Sequence, residues 1–142
     1  MRGKCLCGAI EFEINGKLPK AYQCHCSLCR KQSGTAYNTS LMISNDKFRW
    51  LVGPENISSY VKDTGYRSDF CSRCGSPVPN PLRDTSYIWV PGGLLEADAT
   101  IEIGAHLYIG SKAAWDIPPT GGRHYQTMPD LVELIRLLEP PK

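Results

Sequence analysis

Cys71-Ser72-Arg73-Cys74-Gly75, preceded by Phe70 and followed by Ser76-Pro77, has the form of a metal knuckle. Two residues between the thiols let a tight turn aim both sulfurs at one ion. The glycine that follows permits a positive φ, so that backbone N–H groups can approach the sulfurs. A knuckle supplies half of a tetrahedral site, and the other half must come from elsewhere in the chain. Five more cysteines stand at Cys5, Cys7, Cys24, Cys26 and Cys29. Every cysteine lies within three residues of another, and seven is an odd number, so a disulfide framework would leave one unpaired. Thiols this close suit a shared metal ion better than a set of cross-links, and zinc is the expected ion.

Spacing alone leaves the partition open. Cys5-Leu6-Cys7 is the natural partner for the knuckle, but Cys26 and Cys29 could equally complete it and leave Cys5, Cys7 and Cys24 behind. Either division gives four ligands and three. A closed set of four is structural, whereas three protein ligands with an open position mark a catalytic or substrate-binding zinc. His25 is the residue that could close the second set. If Cys24 to Cys26 is extended, however, the two cysteines point to one face and His25 to the other. A three-cysteine set that takes up metal only when substrate arrives is a further alternative.

The rest of the chain fits a small mainly β protein. Its 142 residues suit a single domain, 1–142, and 42% hydrophobic with 21% charged residues indicate a packed core and not disorder. Thirteen glycines and eleven prolines favour short strands and turns over long helices. A formal charge of +2, with no basic run longer than Arg30-Lys31, argues against nucleic acid as a partner. No apolar segment reads as a signal peptide or membrane span, so the expected location is cytoplasmic, where thiols stay reduced. Oligomeric state is not legible.

Glu11 to Ile14 alternates as a half-buried strand does, and further strands are expected over Tyr37–Ile43, Phe48–Val52, Ile57–Val61, Tyr66–Phe70, Tyr87–Val90 and His106–Ile109. Leu131, Leu134, Ile135 and Leu138 recur at helical spacing and predict one short C-terminal helix that packs on a sheet. Thr127 and Asp130 look like its capping box, Pro129 its first turn and Pro140-Pro141 its stop. A short helical turn is expected across Arg30-Lys31-Gln32, ended by Gly34.

Cys5-Leu6-Cys7-Gly8-Ala9, Cys24-His25-Cys26-Ser27-Leu28-Cys29-Arg30-Lys31 and Phe70-Cys71-Ser72-Arg73-Cys74-Gly75-Ser76-Pro77 together resemble the glutathione-dependent formaldehyde-activating enzyme family, which also includes centromere protein V. His106, Lys112 and Trp115-Asp116 fit that family's later signature. The resemblance implies strongly bent antiparallel sheets, a zinc-stapled β-tent. It also implies that Cys5, Cys7, Cys71 and Cys74 bind a structural zinc. Cys24, Cys26 and Cys29 would then hold a second, catalytic zinc that engages glutathione, so that two zinc ions bind per chain. The implied activity is that of a carbon–sulfur lyase acting on a glutathione adduct or a related thiol, such as S-hydroxymethylglutathione. The alternative is a non-catalytic zinc module that binds a protein partner or senses thiols.

Three thiolates leave a zinc site at about −1 and make the ion a weak Lewis acid, so activating a substrate thiol is favoured over splitting water. Arg30 and Lys31 adjoin the triad and are the candidate partners for carboxylates of a peptide-like thiol, against a reading as a solvated turn. His106 reads as a structural histidine and His124 as an exposed loop residue. Trp50 and Trp89 read as core, Trp115 as core or pocket wall, and Pro77 to Pro81 as a rigid rim beyond the knuckle. Tyr22 and Tyr37 receive no role.

Overall fold

Alternation along the chain builds the first strands, because every second side chain of Glu11-Phe12-Glu13-Ile14 must leave water. In the computed structural model, which describes residues 1–140, the burial of that segment follows the alternation, with Phe12 and Ile14 wholly inside. The strands are β1 (Arg2–Lys4), β2 (Glu11–Ile14), β3 (Ala21–Cys24), β4 (Asn38–Ser44), β5 (Phe48–Val52), β6 (Ile57–Val61), β7 (Arg67–Cys71), β8 (Asn80–Pro81), β9 (Tyr87–Pro91), β10 (Ile103–Leu107) and β11 (Arg123–His124). Helix α1 (Ser27–Ser33) follows β3, and α2 (Leu131–Leu138) closes the described chain. Among the described residues no helix is long and apolar enough to cross a membrane. The residues group into two compact units, 1–17 with 42–100 and 18–41 with 101–142.

In the first unit, β1, β2 and β5 form an antiparallel sheet, β6 pairs with β7, and β8 with β9. Phe12 stacks on Phe48 at 5.4 Å between ring centroids, and Trp50 meets Phe48 edge-on at 4.9 Å. Gly3 lies across from Phe12, where a Cβ would come within 2.4 Å of the ring. A second cluster gathers Cys5, Ile10, Cys71 and Val78, with Trp50 and Ile57 packed against it. Val78 and Pro79 are fully buried, so the middle of the segment expected as a rim is core, while Pro81 at its end is exposed. Trp50 and Trp89 are only half-buried.

In the second unit the order is β11-β10-β3-β4. β3 and β4 run antiparallel, but β10 is parallel to both β3 and β11, so the sheets are not all antiparallel. The expected strand from His106 to Ile109 lies earlier, at Ile103–Leu107, because Tyr108 takes a left-handed backbone, φ 57°, and turns Ile109–Ser111 into a 3-10 turn. Helix α1 is longer than expected, starting at a cap on Cys26 and ending on Gly34 with φ 74°. Helix α2 is capped by Asp130, whose carboxylate accepts from the Glu133 N–H at 3.3 Å, and not by Thr127. Asp130 and Glu133 are themselves a capping pair, one turn later than expected. Pro141 lies outside the described residues. Leu134 and Leu138 are buried, and Gly104 lets α2 approach β10, since a Cβ there would sit 2.8 Å from Leu138 Cδ2.

Gly53 ties the first sheet to the cysteine loops. It sits at φ 71°, and a Cβ would fall 1.8 Å from the Ala9 carbonyl oxygen, two residues after Cys7. Gly8 has a similar φ of 79° with open space around it. Gly8→Ala should therefore cost only the backbone term, about 1–2 kcal/mol. Gly53→Ala should cost clearly more, read as a larger fall in the urea midpoint. Equal midpoints for the two variants would show that the Ala9 approach carries no energy.

Candidate metal centres and their surroundings

Two turns of the same design build the first centre. Gly8 follows Cys5-Leu6-Cys7 with its N–H donating to the Cys5 carbonyl at 3.1 Å, and Gly75 follows the knuckle with its N–H donating to the Cys71 carbonyl at 2.8 Å. Both glycines have positive φ, which closes the loop without a Cβ penalty. The four sulfurs of Cys5, Cys7, Cys71 and Cys74 all lie within 4.8 Å of one another. Cys5 and Cys7 sulfurs are 3.7 Å apart, and those of Cys7 and Cys71 are 3.8 Å apart. A tetrahedron with zinc–sulfur bonds of about 2.3 Å has an edge of about 3.8 Å, whereas a disulfide needs about 2.05 Å. The donor set therefore fits zinc, and all seven cysteines are free. The partition with Cys26 and Cys29 on the knuckle is excluded.

Ser76 joins the two turns, and no local pattern singles it out beyond its place in the family motif. Its Oγ accepts from the Leu6 N–H at 2.9 Å and lies 3.3 Å from the Cys74 sulfur. The Ser76 hydroxyl, then its backbone, pull the Cys74 thiol down to about 5. Around Cys7 the Ala9 N–H favours the thiolate, but desolvation and sharing with Cys5, Cys74 and Cys71 outweigh it and push the thiol up to about 11. The Ile10 N–H also reaches the Cys5 sulfur, at 3.4 Å.

The second centre sits at the junction of β3 and α1. Cys24 ends the strand, Cys26 caps the helix and Cys29 lies in its first turn, with the three sulfurs within 4.8 Å of one another. Cys26 accepts from the Cys29 N–H at 3.4 Å. S–H groups of Cys24, then Cys29, hold the Cys26 thiol down at about 2. Its sharing with Cys26 pushes Cys24 up to about 11, and Cys29 is pushed up first by Cys24. Of the three thiols, Cys26 is thus the one its neighbours favour as thiolate. Among the described residues no further histidine, cysteine or carboxylate joins this cluster.

His25 is turned away from the sulfurs, as strand alternation predicts. It is wholly buried, with Nδ1 2.5 Å from Asp116 Oδ2 and Nε2 3.0 Å from His106 Nδ1. A carboxylate only accepts, so His25 Nδ1 carries the hydrogen. Both ring nitrogens are committed, and His25 is not a fourth ligand. His106 lies inside β10, its basicity lowered by burial first and then by His124 and His25. His124 is on β11, exposed, with its ring 4.8 Å from that of His106. The Tyr37 ring stands 5.0 Å from His25. Trp115 is 68% exposed and is not core. Arg30 is half-buried, with Nε out of solvent and unpartnered, and Lys31 is exposed, both on α1 beyond the thiols.

A family model described as glutathione-dependent formaldehyde-activating enzyme matches residues 1–111. The chain belongs to this family. A curated protein of Halomonas elongata, provisionally named a glutathione-dependent formaldehyde-activating enzyme, is 34% identical over 86 residues, which are 55% of this chain and 54% of that protein. The match therefore spans about half of that relative. A crystal structure of a Rhodobacter sphaeroides protein aligns with a TM-score of 0.59 at 22% identity, over 88% of this chain and 100% of that one, and shows a shared fold. The family match covers both cysteine clusters and His106 but ends before Asp116.

With zinc in the four-cysteine centre, protons compete with the ion for sulfur. Ser76 lowers the Cys74 thiol, so it weakens that competition. Ser76→Ala should raise the pH at which acid releases this zinc, followed with a chromophoric chelator. An unchanged or lower release midpoint would contradict the role given to the Ser76 hydroxyl.

Proposed function

We propose that this member of the formaldehyde-activating family is a zinc enzyme that makes or breaks a carbon–sulfur bond in an adduct of glutathione or a related thiol. The observation that carries the reading is the unequal pair of centres. Four sulfurs fit a closed tetrahedron, while Cys24, Cys26 and Cys29 form a set one ligand short of it. Cys5, Cys7, Cys71 and Cys74 would hold the structural ion, and the three-cysteine set the catalytic one.

A zinc ion at the triad would supply the positive charge that favours the thiolate form of a bound substrate thiol. The chain's own part is to hold three sulfurs toward that position and to keep His25 out of it. In the synthetic direction the thiol gives up its proton, its sulfur attacks the formaldehyde carbon, and the carbonyl π electrons move to oxygen. That oxygen then takes a proton, giving an S-hydroxymethyl adduct with no net redox change. The lyase direction reverses each step. Arg30 and Lys31, which directly follow Cys29 on α1, are proposed to meet the substrate's carboxylates. A reducing, cytoplasmic setting suits seven free thiols.

Zinc-loaded protein mixed with glutathione and formaldehyde, followed by NMR, should form the adduct faster than the uncatalysed mixture. A background rate would remove formaldehyde as substrate. Cys26→Ser should abolish binding of the thiol and reduce the second metal to trace occupancy while leaving the far-UV circular dichroism unchanged. Unfolding of that variant would make the triad structural and sink the enzymatic reading.

A further inference from the structure

Asp116 is the buried polar residue of a largely exposed loop, in which Ala113 also turns inward. Trp115 before it is 68% exposed and Ile117 after it 90%, yet Asp116 itself is only 5% exposed. A buried carboxylate is costly unless it is paired. Its partner is His25 Nδ1, 91 residues away in sequence. The loop is braced from its own side by the Asp116 N–H, which donates to the Ala113 carbonyl at 3.0 Å, and by Lys112 Nζ on the Asp116 carbonyl at 3.4 Å.

The place that this contact fixes is the short peptide between two thiols. Cys24 is the last residue of β3 and Cys26 the cap of α1, so His25 is the joint between strand and helix. Its backbone N–H donates to the Leu107 carbonyl at 2.9 Å. Its ring is held on the reverse face by Asp116 and His106, with the Tyr37 ring alongside. A rotation of His25 about the chain would swing the flanking cysteines with it. Fixing the ring therefore fixes the angle at which two of the three sulfurs are presented.

We propose that Asp116, acting through His25 and supported by His106, is a positioning residue that sets the geometry of the Cys24, Cys26 and Cys29 metal centre from the opposite face of β3. The inference rests on the reading of that triad as a metal site. Partners that hydrogen-bond to a metal ligand typically change affinity about 10- to 100-fold, and Asp116 acts one residue further out, through the backbone of His25, so an effect at the lower end of that range is expected. The four-cysteine centre, in the other unit, serves as an internal control in every variant.

The test loads the full chain with cadmium-113 and records both its NMR spectrum and the affinity of each ion against a chelator. Wild type should show two resonances, one for four sulfurs and one for three. Asp116→Asn and His106→Gln should each weaken the second ion about 10-fold or more and displace or broaden its resonance, with the four-sulfur resonance unmoved. Trp115→Ala, next door but exposed, should change neither. A single resonance in wild type would defeat the metal reading itself. Two resonances left unaltered by both variants would overturn only the positioning role, as would loss of both ions in both variants.

Discussion

Sulfur atoms 3.7 to 3.8 Å apart cannot all be anionic without a cation among them, and this repulsion governs how the protein is organised. With protons alone the thiols divide unequally, Cys74 held down to about 5 and Cys7 up to about 11. A divalent ion can replace those protons and make the sulfurs equivalent. Around that need stand the two glycine-closed turns, the hydroxyl of Ser76 bridging them, and the buried cluster of Cys5, Ile10, Cys71 and Val78. The chain has spent its conformational freedom where the sulfurs must meet.

The triad solves a different problem with the same chemistry. Three sulfurs are supplied by a strand end and the first turn of a helix, so the geometry comes from the junction and not from matched loops. Strand alternation then divides the work between two faces. Sulfurs take one side, and the histidine between them takes the other, where Asp116 and His106 hold it. That separation keeps a competent nitrogen ligand away from the three sulfurs.

Much of this was written locally in the sequence. The knuckle turn closed by Gly75, the alternating β2 and the apolar stripe of α2 rest on residues a few positions apart, whereas the pairing of Cys5 and Cys7 with the knuckle spans 64 residues and followed only from the family resemblance. β3 escaped notice because all four of its residues are buried, which erases the alternation that marks a strand. The last strand was misplaced because Tyr108 adopts a backbone that an aromatic residue seldom takes. α2 starts from Asp130 and not Thr127 because the carboxylate nearest the first turn captures its N–H groups. Asp116 was legible only as a family letter beside a tryptophan. Its contact with His25 spans 91 residues, and no local pattern encodes such a distance.

The two centres also differ in how much chain must be organised before each exists. Cys7 and Cys71 close a loop of 64 residues, while the triad lies within six. Chain closure grows as the logarithm of length, so bringing the distant pair together carries an entropic burden larger by roughly 2 kcal/mol. Local chain alone can bring the triad's sulfurs near one another, although their final orientation awaits His106 and Asp116, whereas the four-sulfur cage has to wait for Cys74 to be made at all. Cys5 and Cys7, made before the triad, therefore wait longer than its members for a full set of sulfur neighbours.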